Sequence, residues 1–290
     1  MKKITTKTTV VSSIDTIQTK DLEDNRLMII DNLLGQTKRK VENGIITTRW
    51  SPNYKGIIKR LSDTKNEMLE IYSRAHIINV DCMKMNRIDI HTDIDIKFCE
   101  IEKLLDFFFM ILTEGMGKDR KEWTNKDDLK KESLWVRTQY LDIEIYNKEK
   151  ECADKNKKCE FPTRVELRFK KIKSQDMKVH IDKAIGIYTD AIEKFAYAEN
   201  RRIKVLCSEW DNFIKDNPRG TLTHFVIKYE SEIYTRRILK ELYMYVGLKG
   251  NFKSWIDKFK RGYKLDLITE KEICTLVQRI NISLKRYKNN

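Results

Sequence analysis

The sequence predicts an α+β fold, in which an N-terminal antiparallel sheet with packed helices is followed by an all-helical C-terminal region. Two observations lead to this prediction. In several short segments of the first half, apolar residues alternate with polar ones, which is the period of a half-buried strand. From about Met177 onward the apolar residues instead recur every three or four positions, as on one face of a helix. We therefore predict an α+β domain over 1-175 and a helical region over 176-290.

The elements predicted in the first half alternate between strands and helices. TTVVSSIDTI (8–17) predicts a strand, and 22–34 predicts a helix that Gly35 ends. One or two further strands are expected between Trp50 and Val80. The remaining elements are strands at RIDIHTDID (87–95), YLDIEIYNK (140–148) and TRVELRFKK (163–171), and a helix at EIEKLLDFFFMIL (100–112) that a polar loop follows. This order favours helices packed on a largely antiparallel sheet.

The elements predicted in the second half are all helices. One long helix runs through 180–206, and the chain breaks at NPRG (217–220) before a further helical segment in 230–247. The last helix has a clear start, because Thr269 and Glu272 have the spacing of a capping box.

The composition is that of a folded, basic protein. The chain has 290 residues, of which 40% are hydrophobic, so it is too apolar to be disordered. Its formal charge of +14 should attract polyanions, with nucleic acid the first partner to consider, although a lysine-rich proteome gives the same balance. The longest apolar run, FFFMIL, is too short for a membrane span, and the N-terminus lacks a secretory signal. We therefore expect a soluble, cytoplasmic protein with no membrane contact. The six cysteines lack paired CxxC spacing, which argues against a zinc ribbon and a disulfide framework, so we expect reduced thiols.

Three of the predicted strands carry charge along one face. If they are neighbours with aligned faces, the exposed face of the sheet gathers Asp89, His91, Asp93, Glu144, Tyr146, Lys148, Glu166 and Arg168. An ordinary sheet with one solvated face alternates in the same way. However, Asp and Glu are depleted in strands, and like charges that face each other destabilise a sheet. Such a crowd of carboxylates therefore needs a compensating cation.

A divalent metal would supply that cation. Oxygen-rich ligation with one imidazole suits Mg²⁺ or Mn²⁺ better than zinc. A metal beside a tyrosine on a basic protein suggests phosphoryl transfer. The ordinary pKa of tyrosine is about 10, so Tyr146 needs a metal or a nearby cation to act as a nucleophile. Lys148 lies two residues away on the same face, where it could lower the pKa of Tyr146 or stabilise charge on the phosphate.

Three motifs in the middle third of the chain resemble those of a known family. They are RIDIHTD (87–93), IYNKEKE (145–151) and RVELRFK (164–170), in this order. In these motifs the sequence resembles the Rep_trans family of rolling-circle replication initiators of Gram-positive plasmids, and the related relaxases of integrative conjugative elements. His91 departs from the family pattern, in which a small or apolar residue stands at that position, and the N-terminal and C-terminal regions carry no matching motif.

The resemblance implies that Tyr146 is the nucleophile. Tyr146 would nick one DNA strand and keep the 5′ phosphate as a phosphotyrosine, and the released 3′ hydroxyl would prime synthesis. Asp89 and Glu166 fall on acidic motif positions and would bind the metal, with Asp93 the next candidate and His91 either a further ligand or a packed residue. Lys148 and Arg168 complete the predicted catalytic set. The predicted DNA-binding residues are Arg87, Arg164, Lys170, Lys260, Arg261 and Lys264.

The predicted function is thus initiation of rolling-circle plasmid replication by an endonuclease of the tyrosine transesterase type, with a conjugative relaxase that processes a plasmid for transfer as an alternative. Expected partners are origin DNA with a hairpin, single-stranded DNA, a host helicase and a second copy of the chain. The 176-290 region would bind DNA or mediate oligomerisation. Two rivals stay open: a non-catalytic DNA-binding initiator or regulator, whose basic helices do all the binding, and a metal nuclease that uses water.

Overall fold

The structure, a computed structural model, describes residues 3–20, 37–42, 45–50, 84–116, 121–124, 131–154, 156, 158–174 and 176–289. The strands of this part of the chain are β1 (Val10–Lys20), β2 (Thr37–Glu42), β3 (Ile45–Trp50), β4 (Lys84–Ile94), β5 (Lys121–Thr124), β6 (Lys131–Arg137), β7 (Leu141–Asn147) and β8 (Thr163–Lys170). They form one antiparallel sheet in the order β2-β3-β1-β4-β8-β7-β6-β5.

The α-helices of the described residues are α1 (Phe98–Leu112), α2 (Glu149–Asp154), α3 (Met177–Asp216), α4 (Leu222–Lys228), α5 (Arg236–Tyr245), α6 (Phe252–Gly262) and α7 (Glu270–Asn289). The predicted α+β fold class is confirmed, with the helices concentrated after the sheet. The predicted β1, β4, β7, β8 and α1 are all present. The helix predicted at 22–34 and the strands predicted between Trp50 and Val80 lie outside the described residues.

Two pairs of strands were not predicted. The hairpin β2-β3 precedes the segment in which further strands were expected, and β5-β6 occupies the expected polar loop. β5 has four residues and β6 seven, and both begin with charged residues, so neither gives a long alternating pattern.

The apolar face of the sheet forms the main core. Ile88, Ile90 and Ile94 of β4 are almost fully buried, as their alternation predicts. Helices α1, α3 and α7 supply the other side of this core. The ring of Phe108 in α1 stacks on Tyr188 of α3, with 6.2 Å between the ring centroids. The polar face of the same strands is thereby turned away from these helices.

Helix α3 belongs to two hydrophobic clusters. Its first half, from Ile181 to Ala198, packs into the core under the sheet together with α7. Its second half contributes Leu206 and Phe213 to a separate cluster with α4, α5 and α6. The change from strand to helix falls between Lys170 and Met177, near the predicted boundary, but the first core includes residues from both sides of it. The division at 175 and 176 stays a prediction.

The ends of the helices agree with the local sequence signals. Helix α3 ends at Asp216, directly before NPRG. At the start of α7, the Thr269 backbone N–H donates to Glu272 Oε2 at 2.8 Å, and the Glu272 backbone N–H donates to Thr269 Oγ1 at 3.3 Å. The predicted capping box is therefore present. None of the helices in the described ranges has the length and apolar character needed to cross a membrane.

Candidate active site on the charged face of the sheet

The three motif strands are neighbours in the sheet. β8 lies between β4 and β7 and pairs with both. Residues directly opposite each other in antiparallel strands share a face, so the register defines three rows across the strands. We call them the Asp93 row (Asp93, Arg164, Tyr146), the His91 row (His91, Glu166, Glu144) and the Asp89 row (Asp89, Arg168, Asp142). The rows bring together all the predicted metal ligands, and Tyr146 and Arg168 of the predicted catalytic set.

Of the eight side chains that the sequence predicted on an exposed face, four are buried and the other four are half-buried. The exposed fraction is 0% for Asp89, 7% for His91, 8% for Asp93 and 6% for Glu166. The expectation was wrong because alternation indicates that one face is apolar and the other is charged, but it does not indicate whether the charged face is exposed to solvent. Buried charges must be paired, and the outer two rows show how this is done.

The Asp93 row is organised around one guanidinium. Arg164 donates from Nε to Asp93 Oδ1 at 2.6 Å and from Nη2 to Asp93 Oδ2 at 2.9 Å, a bidentate pair. Its Nη1 donates to Asp15 Oδ1 at 3.1 Å, and Lys148 Nζ donates to Asp93 Oδ2 at 3.1 Å. Burial alone would raise the pKa of Asp93, but the Arg164 hydrogen bond and the nearby positive charges hold it below its ordinary value.

Asp15 is a site residue that the sequence analysis missed. It lies where the register of β1 shifts against β4, between Ile14 and Thr16. Such a bulge redirects a side chain relative to strict alternation. Burial opposes its ionisation, yet the charge of Arg164 keeps the pKa of Asp15 below its ordinary value. An acidic residue within SSIDTI was the available signal, because Asp is uncommon in strands.

The Asp89 row alternates negative and positive groups. Arg87 donates to both carboxylate oxygens of Asp89, at 2.7 and 2.5 Å, and Arg168 Nε lies 3.4 Å from Asp89 Oδ2. Asp142, which was not among the predicted site residues, pairs with Lys170 Nζ at 2.6 Å. Every carboxylate in this row therefore has a cationic partner.

The His91 row lacks this balance. Glu144 lies directly opposite Glu166, and the cation that bonds to Glu166 is Arg168 of the neighbouring row, at 2.7 Å. Burial, reinforced by the charge of Asp89, raises the pKa of Glu166 to about 7. Burial also raises the pKa of Glu144. Near neutral pH, Glu166 can therefore either hold or release a proton.

His91 is neutral in this row. Burial, followed by the charge of Arg164, lowers the pKa of His91 to about 4. Its Nε2 shares a hydrogen bond of 3.0 Å with Ser13 Oγ, while its buried Nδ1 has no hydrogen-bond partner among the residues that the structure describes and lies 4.0 Å from Asp15 Oδ1. The imidazole thus has one ring nitrogen available on a face lined with carboxylates.

Tyr146 lies at the edge of the Asp93 row, opposite Arg164. Burial raises its pKa well above the ordinary tyrosine value; the charge of Arg164 opposes this shift and the charge of Glu166 adds to it. Lys148, which was expected either to lower the pKa of Tyr146 or to stabilise charge on the phosphate, pairs with Asp93. The guanidinium of Arg164 is therefore the cation that favours the tyrosinate.

The donors predicted for a metal are of the right chemical types but are paired with other groups. Asp89 and Asp93 accept hydrogen bonds from Arg87 and Arg164. In the part of the chain that the structure describes, no three His, Cys, Asp or Glu side chains are placed to hold one metal ion. As arranged, these residues do not form a metal centre, and metal binding stays a prediction.

The six residues predicted to bind DNA fall into two groups. Arg87, Arg164 and Lys170 lie on the charged face, paired with Asp89, Asp93 and Asp142 respectively. Lys260, Arg261 and Lys264 are exposed at the end of α6 and just beyond it. The second group is therefore the one that the fold leaves accessible to a phosphate backbone.

No protein-family model and no curated protein matches the chain. Among solved structures, the chain is similar to a rolling circle replication initiator protein from Geobacillus stearothermophilus. The identity is 10% and the TM-score 0.31, over 56% of this chain and 74% of that chain. A likeness of this size does not indicate function, and membership of the Rep_trans family stays a prediction.

Proposed function

We propose that the protein nicks and rejoins one strand of DNA through Tyr146, to initiate rolling-circle replication of a plasmid. The observation that carries this proposal is the pairing of Tyr146 with Arg164 across β7 and β8, beside a row whose glutamate titrates near neutral pH. The motif resemblance and the charge of +14 support DNA as the substrate.

The proposed reaction is a transesterification. The Tyr146 oxygen attacks the phosphorus, the bond from phosphorus to the 3′ oxygen breaks, and the 5′ phosphate stays on the tyrosine. The 3′ oxygen takes up a proton and leaves as a hydroxyl. Arg164 lies where it would stabilise both the tyrosinate and the charge that develops on the phosphate. Rejoining is the reverse of these steps, so the energy of the phosphodiester is kept in the phosphotyrosine.

Glu166 is the proposed proton acceptor for Tyr146. The two residues are diagonal neighbours on adjacent strands, a relation that places such residues about 7–8 Å apart and within reach through one water. A base with a pKa of about 7 suits transfer at neutral pH. Binding of DNA phosphate near Arg164 would compete with Asp93 and Asp15 for the guanidinium. We expect this exchange of partners to accompany substrate binding.

The remaining predictions belong to this proposal. Asp89, His91, Asp93 and Glu166 would hold Mg²⁺ or Mn²⁺ only if Asp89 and Asp93 exchanged their arginine partners for the ion, in which case Glu166 would be a ligand and not the base, and the ion would supply Lewis-acid stabilisation of the phosphate. Partners would be a hairpin at the origin, single-stranded DNA, a host helicase and a second copy of the chain, in the cytoplasm. The exposed Lys260, Arg261 and Lys264 would contact the DNA backbone.

A binding-only initiator is the second candidate. The observation that favours it is the internal pairing of Asp89 and Asp93 with arginines, which leaves those carboxylates without a need for metal. In that case the charged face is a structural ionic network, and the basic residues after the sheet do the binding.

The deciding experiment uses supercoiled DNA that carries the candidate origin of the protein's own replicon, with Mn²⁺. The wild type is compared with Tyr146→Phe and with Tyr140→Phe, a matched control in which the replaced tyrosine is 61% exposed. We expect covalent attachment of protein to the nicked strand for the wild type and Tyr140→Phe, and none for Tyr146→Phe. A parallel reaction with chelator tests the metal separately.

Three other outcomes would each change a part of this proposal. Nicking by Tyr146→Phe without an adduct would indicate a nuclease that uses water. Shifted but intact DNA with all three proteins, over every candidate origin, would favour the binding-only protein. An adduct that persists in chelator would retain the tyrosine mechanism and remove the metal from it.

A further inference from the structure

Two cysteines close to the proposed nucleophile are in contact with each other. Cys152 lies in α2, which begins three residues after Tyr146, and Cys159 lies in the segment that leads into β8. Their sulphur atoms are 2.9 Å apart, and both residues are half-buried. In a disulfide the two sulphurs are about 2.05 Å apart, so bond formation requires an approach of only about 0.9 Å.

We infer that Cys152 and Cys159 are a reversible oxidation site, at which a low-molecular-weight disulfide such as glutathione disulfide converts the two thiols into an internal disulfide. Their spacing is not that of a CxxC motif, so it did not predict a disulfide between them. The fold brings them together by returning the chain from α2 toward β8. Disulfides in a reducing compartment are usually transient and redox-sensing.

Oxidation of the two thiols requires glutathione disulfide as the oxidant, and neither a metal nor a further co-reactant. The Cys152 thiol loses its proton and attacks one sulphur of glutathione disulfide, which releases one glutathione as a thiol once it takes up a proton. Cys159 then loses its proton and attacks Cys152 Sγ, and the second glutathione leaves in the same way. Two thiols are oxidised and one disulfide is reduced to two thiols. Burial raises the pKa of Cys159 to about 12, so little of this thiol is ionised at neutral pH, and Cys159 is therefore given the second, intramolecular attack.

The surrounding contacts place this site beside the charged face. The Cys152 backbone N–H donates to Lys148 O at 2.9 Å, and the Lys148 N–H donates to Pro162 O at 2.7 Å. The Lys148 side chain pairs with Asp93. Oxidation would therefore close a short loop on a segment that already joins the ends of β7 and β8. This inference concerns thiol chemistry and does not depend on DNA nicking.

The test oxidises the full-length protein with glutathione disulfide, blocks the remaining thiols and maps tryptic peptides without reduction. Lys155, Lys157 and Lys158 stand between the two cysteines in the sequence, so trypsin separates the cysteine peptides unless a disulfide joins them. We expect one joined peptide pair, lighter by two hydrogen atoms, that separates on reduction. Cys99→Ser, which removes an exposed cysteine, should retain the pair, while Cys152→Ser and Cys159→Ser should each lack it.

Three results would overturn the inference. The first is the absence of the joined pair at every ratio of oxidised to reduced glutathione. The second is its presence only as a link between two protein molecules, seen as a dimer on a non-reducing gel. The third is retention of a stoichiometric metal by the wild type that blocks oxidation and is lost in Cys152→Ser, which would make the pair a metal site.

Discussion

Replacing Arg164 by methionine tests the ionic organisation of the charged face directly. The guanidinium is buried and holds two carboxylates, Asp93 and Asp15, through three hydrogen bonds of 2.6 to 3.1 Å. Removing one partner of a buried ion pair costs about 3–5 kcal/mol, because the other charge is left uncompensated. Lys148 still contacts Asp93 in the variant, so we expect the lower end, a loss of about 3 kcal/mol in the free energy of unfolding.

The loss should depend on pH. In the wild type the folded-state pKa values of Asp93 and Asp15 are lowered, so their stabilisation is present above the unfolded value of about 4 and is lost as the pH falls through the depressed values. Without Arg164 both carboxyls bind protons more readily in the folded protein. The difference between wild type and Arg164→Met should therefore be largest near pH 7 and should shrink toward pH 4.

Urea unfolding followed by circular dichroism measures this difference. The matched control is Arg286→Met, which removes an exposed arginine near the end of α7 and should change the stability by less than about 0.5 kcal/mol. An Arg164→Met variant that loses less than about 1 kcal/mol at pH 7, or whose loss does not shrink in acid, would refute the assignment of this guanidinium as the centre of the row.

Three further variants test other features by the same urea titration. The pKa of Glu166 is raised to about 7 in the folded protein, so between about pH 4.5 and 7 the folded state binds a proton that the unfolded state has lost. The free energy of unfolding therefore falls as the pH rises through this window. Glu166→Gln should remove this fall, which amounts to up to about 3 kcal/mol. Thr269→Ala removes the cap of α7 and its bonds to Glu272, and should cost about 1 kcal/mol at any pH. In Gly220→Ala the new Cβ would lie 2.6 Å from Phe213 Cε1, and the clash should cost about 1–3 kcal/mol. A wild-type free energy of unfolding that does not change between about pH 4.5 and 7 would contradict the argument for Glu166. An unchanged free energy of unfolding in Thr269→Ala or Gly220→Ala would contradict the argument for that residue.

The strands that carry the site were predictable because their signal is local. Ile88 and Ile90 alternate with charged residues along the chain, and both are buried as the alternation requires. That these strands carry the site was predicted from the order of the three motifs, which is a resemblance to a family and not a physical argument. Short strands with charged ends, such as β5 and β6, have too few alternating positions to be told from a loop.

The partners of the charges were not predictable. Asp93 and Arg164 are 71 residues apart in sequence, and their contact depends on the register of β4 against β8. A slip of one residue would place every side chain of a strand on the other face, and no local pattern reports that register. Asp15 was missed for a related reason. The shift of register at Asp15 arises from the pairing of β1 with β4, so the sequence of β1 alone does not reveal it.

The three rows differ in how well their charges are balanced. In the two outer rows the carboxylates of Asp89 and Asp93 alternate with guanidinium groups, so the charges compensate each other. In the His91 row a neutral imidazole is followed by two glutamates that face each other, and that row carries the unbalanced negative charge. Burial, reinforced by the charge of Asp89, raises the pKa of Glu166 in this row to about 7, so a proton binds there near neutral pH. Tyr146 stands diagonal to this position, so in the proposed reaction Glu166 would accept the proton of the tyrosine.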